Sequence, residues 1–325
     1  MQIRIICPAP PGSLYGNRVT AMRWARLLKE LGHRVVIAAD YRDERCDLLI
    51  ALHARRSAGA VFRYRKRHPR APLVVALTGT DLYRDLRHFR RPRQVLDLAD
   101  RVVSLQPLAA AELSPPVREK LRVIYQSAEP THGVIKKPAR FFDVSVVGHL
   151  RPVKDPFRAA YAARRLPGGS HIRVLHAGQA MGEAMERQVR KEESRNPRYH
   201  WLGPLSRART RRLIAESRIL VLSSRLEGGA NVISEAAVDG TPILASRIPG
   251  SIGLLGEDYP GYFPAGDTQA LFALLVRTEN DAGFYRQLKQ CSRRVAPLFR
   301  PSEERRRWRD LLAEISRPAA GQTRL

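Results

Sequence analysis

Short runs of valine, isoleucine and leucine alternate with helical patterns along most of this 325-residue chain. Between the first two runs, residues 18–31 place Ala21, Trp24 and Leu28 on one helical face, and Gly32 follows as a stop signal. Strands that are apolar on both faces are typical of parallel sheets covered by helices on each side, so we predict an α/β fold. The predicted strands comprise residues 3–6, 34–39, 47–54, 72–79, 101–106 and 121–127 in the first half, and 141–148, 172–178, 219–224 and 241–246 in the second.

The alternation is interrupted once, and this break divides the chain. Residues 129–140 contain proline, glycine and charged side chains but no apolar period, so we interpret them as an interdomain linker. The pattern predicts Rossmann-like domains at 1–130 and 131–301, whose parallel sheets face each other across a cleft. A helix at about 302–317 follows, and in such a fold this helix can pack back onto the N-terminal domain. Because open parallel sheets bind ligands at the carboxyl ends of their strands, we expect the functional residues in the loops that follow those strands.

Basic residues far outnumber acidic ones, and this limits the classes of ligand. The 57 lysine and arginine residues against 31 aspartate and glutamate residues give a formal charge of +26. Such a charge attracts nucleic acid, anionic lipid or small phosphorylated molecules. No nucleic-acid-binding module is recognisable, and the basic clusters at 90–93, 209–212 and 305–307 are short and scattered. We therefore expect a small anionic substrate and no nucleic-acid partner.

Composition also argues against membrane-spanning and disulfide-rich classes. No apolar run approaches the ~20 residues that cross a bilayer, and the 44% hydrophobic content fits a globular protein with an ample core. Three scattered cysteines favour neither a disulfide framework nor a zinc site. We expect a cytoplasmic protein without a membrane span.

The strongest local motif is residues 223–246, which predict a strand, a glycine-bearing loop, a helix and another strand. Glu227 lies in the loop and Glu235 about one turn into the helix. A helix start offers free N–H groups to a phosphate, and an ionised carboxylate accepts hydrogen bonds from sugar hydroxyls. The alternative interpretation is an ordinary helix with one exposed glutamate. The candidate ligand-binding residues are Ser224, Arg225, Gly228, Gly229, Ala230, Asn231 and Glu235, with Asn231 as the expected helix cap.

A second motif, at residues 146–156, leads from a predicted strand into a basic loop. The strand ends at Gly148, which is a further candidate ligand-binding residue, and His149, Arg151 and Lys154 follow. Cations at the carboxyl end of a strand can stabilise the charge that develops on a departing diphosphate. The alternative is a basic turn on a basic protein. Together with Glu227, these three cations are our candidate catalytic residues.

Three loops of the predicted N-terminal domain are candidates for binding a second substrate. Residues 8–20 place glycines before a helix, but they match neither GxGxxG nor the Walker A pattern, so dinucleotide or ATP use is not supported. Loops 52–57 and 77–85 also follow predicted strands, and the first of them carries His53. The candidate acceptor-binding residues are Gly16, Asn17, Arg18, Arg55, Arg56, Thr78, Gly79, Thr80 and Asp81.

The spacing of potential metal ligands does not suggest a metal site. No two aspartates lie two residues apart, and neither HxxxH nor CxxC spacing occurs. We therefore expect no metal and no cofactor other than the substrates.

Taken together, these motifs resemble those of the retaining glycosyltransferases of the GT-B fold, typified by relatives of sucrose-phosphate synthase and glycogen synthase. The two family glutamates, separated by seven residues, match Glu227 and Glu235, and the family's diphosphate-binding lysine matches Lys154. The resemblance implies that Glu227 contacts the donor sugar and Glu235 the nucleoside ribose. The motif GTD at 79–81 also matches. The chain departs at His149, where the family carries arginine, and at Thr78, where a histidine near the donor sugar is common.

The chain is also similar, over nearly its entire length, to the selenosugar synthases of bacterial selenoneine biosynthesis. Residues 8–35, 46–57, 73–85 and 123–130 carry this similarity. It implies that a UDP-sugar, expected to be UDP-N-acetylglucosamine, reacts with selenophosphate to give a 1-seleno-sugar, UDP and phosphate. It also implies functional coupling to a selenophosphate synthetase and to a downstream enzyme that forms a C–Se bond.

Two other functions stay open at this point. A related transferase could use a UDP-sugar with a lipid or carbohydrate acceptor, docked on anionic membrane through its basic N-terminal domain. A nucleic-acid-binding protein on a Rossmann scaffold would show steeply salt-dependent binding to duplexes. The second alternative gives no reason for the pairing of Glu227 with Glu235.

Overall fold

The computed structural model describes residues 1–13 and 15–316, which form two units. One unit comprises Met1–Gln126 together with the helix Pro301–Ser316, and the other comprises Ser127–Arg300. Position 317 of the helix predicted at 302–317 lies outside the described residues. Within the described ranges, no helix is both long and apolar enough to cross a bilayer.

The N-terminal unit is built on a six-stranded sheet in which all neighbouring strands pair in parallel. Its strands are β1 (Gln2–Ile6), β2 (Arg34–Ala38), β3 (Leu48–Leu52), β4 (Leu73–Leu77), β5 (Arg101–Ser104) and β6 (Leu121–Val123). Its first five helices are α1 (Gly16–Glu30), α2 (Ala58–Arg67), α3 (Leu86–His88), α4 (Arg90–Leu98) and α5 (Pro115–Glu119), with a π-helical turn at Asp81–Asp85 and a 3₁₀ turn at Pro107–Glu112.

The strand order in this sheet is β2-β1-β3-β4-β5-β6. Strands β3 and β4 consist only of apolar residues, and every residue in them is buried, as expected for central strands covered on both faces. The order reverses between β1 and β3, which is the position where open α/β sheets bind ligands. The loops after β1, β3 and β4 therefore share the functional edge of this unit.

The C-terminal unit repeats the same architecture. Its six parallel strands are ordered β12-β11-β10-β7-β8-β9. The strands are β7 (Phe142–Val147), β8 (Ile172–Ala177), β9 (Tyr199–Gly203), β10 (Ile219–Leu222), β11 (Ile243–Ser246) and β12 (Tyr262–Phe263). The helices are α6 (Arg158–Ala163), α7 (Glu183–Arg195), α8 (Arg207–Glu216), α9 (Asn231–Val238), α10 (Pro249–Leu255), α11 (Thr268–Asn280) and α12 (Ala282–Val295), with 3₁₀ turns at Pro152–Lys154 and Ala296–Phe299.

The last described helix, α13 (Pro301–Ser316), completes the core of the N-terminal unit. Trp308 is fully buried and meets the ring of Trp24 on α1 edge to face, with centroids 4.8 Å apart. The buried Glu304 accepts a hydrogen bond from Trp24 Nε1 at 2.7 Å and pairs with Arg23 Nε at 3.1 Å. These partners compensate a carboxylate that is costly to bury alone.

The segment that the sequence indicates as a linker packs onto the C-terminal unit. Residues 129–140 contain neither helix nor strand. Thr131 donates its N–H to Asp239 at 2.7 Å, and the Lys137 ammonium binds the carbonyls of Ala215 and Ser217 at the end of α8. This stretch is therefore anchored at two points on one unit.

The predicted fold class is confirmed, since both sheets are parallel and alternate with helices. The ten predicted strands are all present, but β9 and β12 escaped prediction. β12 has only two residues, which is too short for a recognisable pattern. β9 has the sequence YHWLG, which is not an apolar run because this strand lies at the edge of the sheet and is partly exposed.

Candidate functional site

Strands β7 and β10 are neighbours in the sheet, so the loops that follow them meet at its carboxyl edge. The backbone N–H of Arg225 donates to the carbonyl of Val153 at 2.8 Å. The Ser223 hydroxyl donates to the carbonyl of Asp155 at 2.8 Å. The two strongest sequence motifs are thereby joined into one structure.

The ion pair of Lys154 and Glu227 lies where these two loops join. Lys154 Nζ is 2.5 Å from Glu227 Oε1, and the side chains are 24% and 10% exposed. The pair is partly shielded from water but still reachable from it, so a ligand with its own charge can compete for either partner.

The loop after β10 leads into α9 and presents the second glutamate. Glu235 lies one turn into this helix and is 9% exposed. The cap prediction was wrong: Ala230 holds the N-cap position, and Asn231 is the first helical residue. An alanine side chain cannot accept hydrogen bonds from the first-turn N–H groups, which leaves this helix start suited to an anionic ligand.

A close backbone contact fixes the position of Glu227. Gly250, in the first turn of α10, approaches so closely that an added Cβ would lie 2.1 Å from the carbonyl oxygen of Glu227. Only glycine permits this approach. Gly250 was not among the predicted site residues, although the pair Pro249-Gly250 after a predicted strand is a local signal for it.

The basic loop after β7 places its three cations differently. His149 Nδ1 accepts a hydrogen bond from the N–H of Gln179 at 3.3 Å, which positions the ring over the loop after β8. Arg151 is exposed, and its guanidinium has no hydrogen bond or ion pair with another described residue, whereas its carbonyl accepts the N–H of Lys154 at 2.9 Å. Lys154 lies against the candidate glutamate Glu227. The Arg151 guanidinium is thus able to move toward a ligand.

The buried His176 on β8 contacts the start of this loop, and it was not among the predicted site residues. Its Nε2–H donates to the carbonyl of Gly148 at 3.3 Å, and its Nδ1 accepts from the Tyr199 hydroxyl at 2.8 Å. Burial lowers the pKa of His176 to about 4, so the ring is neutral near pH 7. Gly178 packs against the same carbonyl, since an added Cβ would lie 1.9 Å from Gly148 O.

A narrow crevice opens between the ends of β7 and β10. Gly148, Lys154, His176 and Ser224 are among the residues that line it. Ser224 is 1% exposed, and its hydroxyl has no hydrogen-bond partner among the described residues. A buried hydroxyl without a partner is costly, and a hydrogen-bonding ligand would satisfy it.

The candidate residues at the start of α1 lie in the N-terminal unit. Gly16 is the first helical residue and exposed, and Asn17 and Arg18, which follow it, are half-buried. The N-cap is Tyr15, and no side chain caps the helix there. Position 14 of this loop lies outside the described residues.

Asp81 has a different role from the one predicted. It is fully buried and accepts backbone N–H bonds from Ala54 at 3.1 Å and Gly79 at 2.8 Å, with a third from Thr78 at 3.2 Å. Its carboxylate therefore joins the loops after β3 and β4 and has no exposed atom for a ligand. Thr78, Gly79 and Thr80 are half-buried and surround it.

The loop after β3 exposes two arginines on a constrained backbone. Arg55 and Arg56 are both exposed, and the preceding His53 is buried with a left-handed φ of 70°. His53 Nδ1 accepts the N–H of Arg56 at 3.4 Å, so its Nε2–H faces Thr80 Oγ1 at 3.4 Å. Among the described residues, no group of His, Cys, Asp and Glu side chains could hold a metal ion.

A comparison with protein families identifies the C-terminal unit. A family model described as glycosyl transferases group 1 matches residues 128–295, more than half of the chain. The D-inositol 3-phosphate glycosyltransferases of Mycobacteroides abscessus and Mycolicibacterium smegmatis are 29% and 26% identical over 153 and 176 residues. These alignments cover 44% and 49% of this chain but only 33% and 40% of the relatives, so the chain spans well under half of each curated relative.

Solved structures share the fold along nearly the whole chain. Anabaena HepE in complex with UDP has a TM-score of 0.77 at 16% identity, covering 97% of this chain and 100% of that chain. Sucrose-phosphate synthase from Thermosynechococcus elongatus has a TM-score of 0.79 at 16% identity, covering 97% and 98%. At such identity the likeness shows a common fold.

Proposed function

The chain belongs to the group 1 glycosyl transferases, and from this membership we propose that it transfers a sugar from a UDP-sugar to a small anionic acceptor. The observation that carries the proposal is the Lys154–Glu227 pair beside the uncapped start of α9. A diphosphate needs a cation and N–H donors, and a sugar needs a carboxylate acceptor. The two loops supply all of these on one edge of the sheet.

The donor would occupy the C-terminal unit. We assign the ribose to Glu235, the diphosphate to Lys154 and Arg151 with the backbone of 228–231, and the hexose to Glu227. His149 belongs to the same loop as Arg151 and Lys154, the segment 148–155 after β7, which we call the diphosphate loop. The UDP and UDP-glucose bound to HepE, which shares this fold, support a UDP-sugar as the donor.

The reaction would begin with an exchange of partners. A diphosphate brings negative charge to Lys154, so its ammonium can move from Glu227 to the phosphate oxygens. Glu227 is then released to accept hydrogen bonds from the hexose hydroxyls. As the bond between the anomeric carbon and the phosphate oxygen breaks, its electron pair leaves with UDP, and the cations stabilise that charge.

For the acceptor, we propose selenophosphate, with UDP-N-acetylglucosamine as the donor. The selenium would donate an electron pair to the anomeric carbon, and water would then cleave the Se–P bond to give the 1-seleno-sugar and phosphate. Selenium is a good nucleophile without a strong general base, so positioning would contribute most of the rate. The sequence similarity to selenosugar synthases supports this acceptor.

A phosphorylated polyol is the second candidate acceptor. The relatives from Mycobacteroides abscessus and Mycolicibacterium smegmatis are named for D-inositol 3-phosphate, which is a small phosphorylated acceptor. Both candidates carry an oxyanion, and both agree with the excess of basic residues.

The test is a mass-spectrometric assay of the full chain with UDP-N-acetylglucosamine and freshly generated selenophosphate. We expect an ion with selenium's isotope pattern to form in step with UDP. UDP release with inositol phosphate but not with selenophosphate would transfer the assignment to the second acceptor. UDP release with neither, although UDP binds, would refute a small anionic acceptor.

A substitution tests the donor half separately. Glu235→Ala should weaken UDP binding about 10- to 100-fold, because charged hydrogen bonds contribute roughly 1.5–3 kcal/mol. Glu183→Ala is the matched control, since that side chain is 91% exposed in the same unit. Equal UDP affinities in the two folded variants would remove Glu235 from the site.

A further inference from the structure

The edge of the N-terminal unit holds a second pairing of charges that the donor site does not use. Asp85, in the π-helical turn after β4, is 1% exposed. Its Oδ1 accepts a hydrogen bond from Arg55 Nη1 at 3.3 Å and from Arg84 Nε at 3.1 Å. Two guanidinium groups from neighbouring loops therefore converge on one carboxylate oxygen.

These two arginines carry more positive charge than Asp85 can neutralise. Among the residues that the structure describes, Asp85 is the one carboxylate paired with either of them. Arg55 and Arg84 remain 43% and 53% exposed. Each guanidinium has five N–H donors, so most donors stay available to a ligand that approaches from solvent.

The guanidinium of Arg55 is held in place before any ligand arrives, and that of Arg84 is directed by its bond to Asp85. The guanidinium of Arg55 also stacks on the Phe89 ring, 3.7 Å from its centroid. Behind them, Asp81 ties the two loops together through Ala54 and Gly79. A donor set held in place by buried groups loses little conformational freedom when it binds.

We propose that Arg55 and Arg84 form an oxyanion-binding site that takes the phosphate-like group of the acceptor. The ligand class is a small tetrahedral oxyanion, either free or as a monoester, because planar guanidinium forks match such oxygens in pairs. Asp85 is the positioning residue that holds both forks. The identification of this ligand as the acceptor rests on the proposed function, whereas the binding site itself does not.

The sequence pattern alone could not single out Arg84. It lies in a chain rich in arginine, within a loop whose candidate residues were Thr78, Gly79, Thr80 and Asp81. The π-helical turn at Asp81–Asp85 brings Arg84 and the buried Asp85 beside the loop after β3. The site follows from that turn.

The experiment titrates inorganic phosphate into the full chain in a chloride buffer and follows the heat of binding. The variants are Arg84→Gln and Arg55→Gln. Arg87→Gln is the matched control, because Arg87 lies on the same segment, is 61% exposed and pairs with Glu112. All three lose one positive charge, so they share the same change in the summed field. UDP is titrated in parallel.

We expect each of the first two variants to weaken phosphate binding about 10- to 100-fold, since a charged hydrogen bond is worth roughly 1.5–3 kcal/mol. The control should change it less than twofold. An equal loss in all three variants, or no loss in any, would overturn the proposal. If the Arg55 and Arg84 variants lose phosphate affinity but keep UDP affinity, the oxyanion site is separate from the donor site. If the wild-type chain does not bind UDP, the result counts against the proposed function and not against the oxyanion site.

Discussion

Gly178→Ala tests whether backbone packing holds in place the diphosphate loop, residues 148–155 after β7. The added Cβ would lie 1.9 Å from Gly148 O, 2.6 Å from Gly148 C and 3.1 Å from His149 N. All three atoms belong to the backbone, so no side chain can rotate away. The loop that carries His149 must therefore move as a whole.

The size of that movement follows from the distances. An ordinary contact at about 3.4 Å requires the two backbones to separate by about 1.5 Å. Overpacking of this kind costs roughly 1–3 kcal/mol of stability. A misplacement of about 1 Å in a binding loop can cost on the order of 100-fold in activity. We expect a folded variant with lower stability and a much larger loss of UDP affinity than of stability.

The assay compares UDP affinity by calorimetry with the free energy of unfolding from urea titration. Gly169→Ala is the control, because a Cβ there meets no atom within 4 Å and its backbone needs no left-handed conformation. UDP affinity within threefold of wild type in Gly178→Ala would refute the reasoning. A loss of the same size in the control would also refute it.

Three further outcomes follow from the same structure. Between pH 7 and pH 5 the wild-type chain should lose about 2 kcal/mol more unfolding free energy than His176→Gln, because the unfolded histidine binds a proton below pH ~6.5 whereas the folded ring does so only near its pKa of about 4. Urea titrations at both pH values measure this loss, and an equal loss in the two proteins would contradict it. Trp308→Ala should cost roughly 3–5 kcal/mol, as for large buried side chains generally, while Arg309→Ala on the exposed face should cost little; a calorimetric melt compares them. Lys154→Ala should slow UDP release from the donor about 100-fold, with the exposed Lys191→Ala as its control, and a normal steady-state rate would remove Lys154 from the site.

The architecture was predictable because most of its strands are buried and therefore appear in the sequence as apolar runs. β3 and β4 are wholly apolar and end where the composition changes, so their limits agree with the prediction within two residues. β6 was predicted too long, since an edge strand needs no apolar continuation. The pattern of apolar residues reflects burial, so it is weaker wherever a strand is partly exposed.

The candidate site was predictable only where chemistry and spacing coincide. Glu227 and Lys154 have a chemical reason to be where they are, and the structure brings them into contact. Gly178 and His176 act through contacts between segments distant in sequence, so no local pattern indicates them. The burial of Asp81 likewise depends on Ala54, which belongs to another loop.

The return of α13 to the N-terminal unit has a consequence for the order of events during synthesis. Trp24 and its partner Glu304 lie 280 positions apart. At ribosomal rates of about 5–20 residues per second, Trp24 waits on the order of tens of seconds for its cover. The C-terminal unit, encoded continuously by 127–300, has all of its residues before then. The N-terminal unit is thus completed after the C-terminal unit, and its core stays open until α13 has been synthesised.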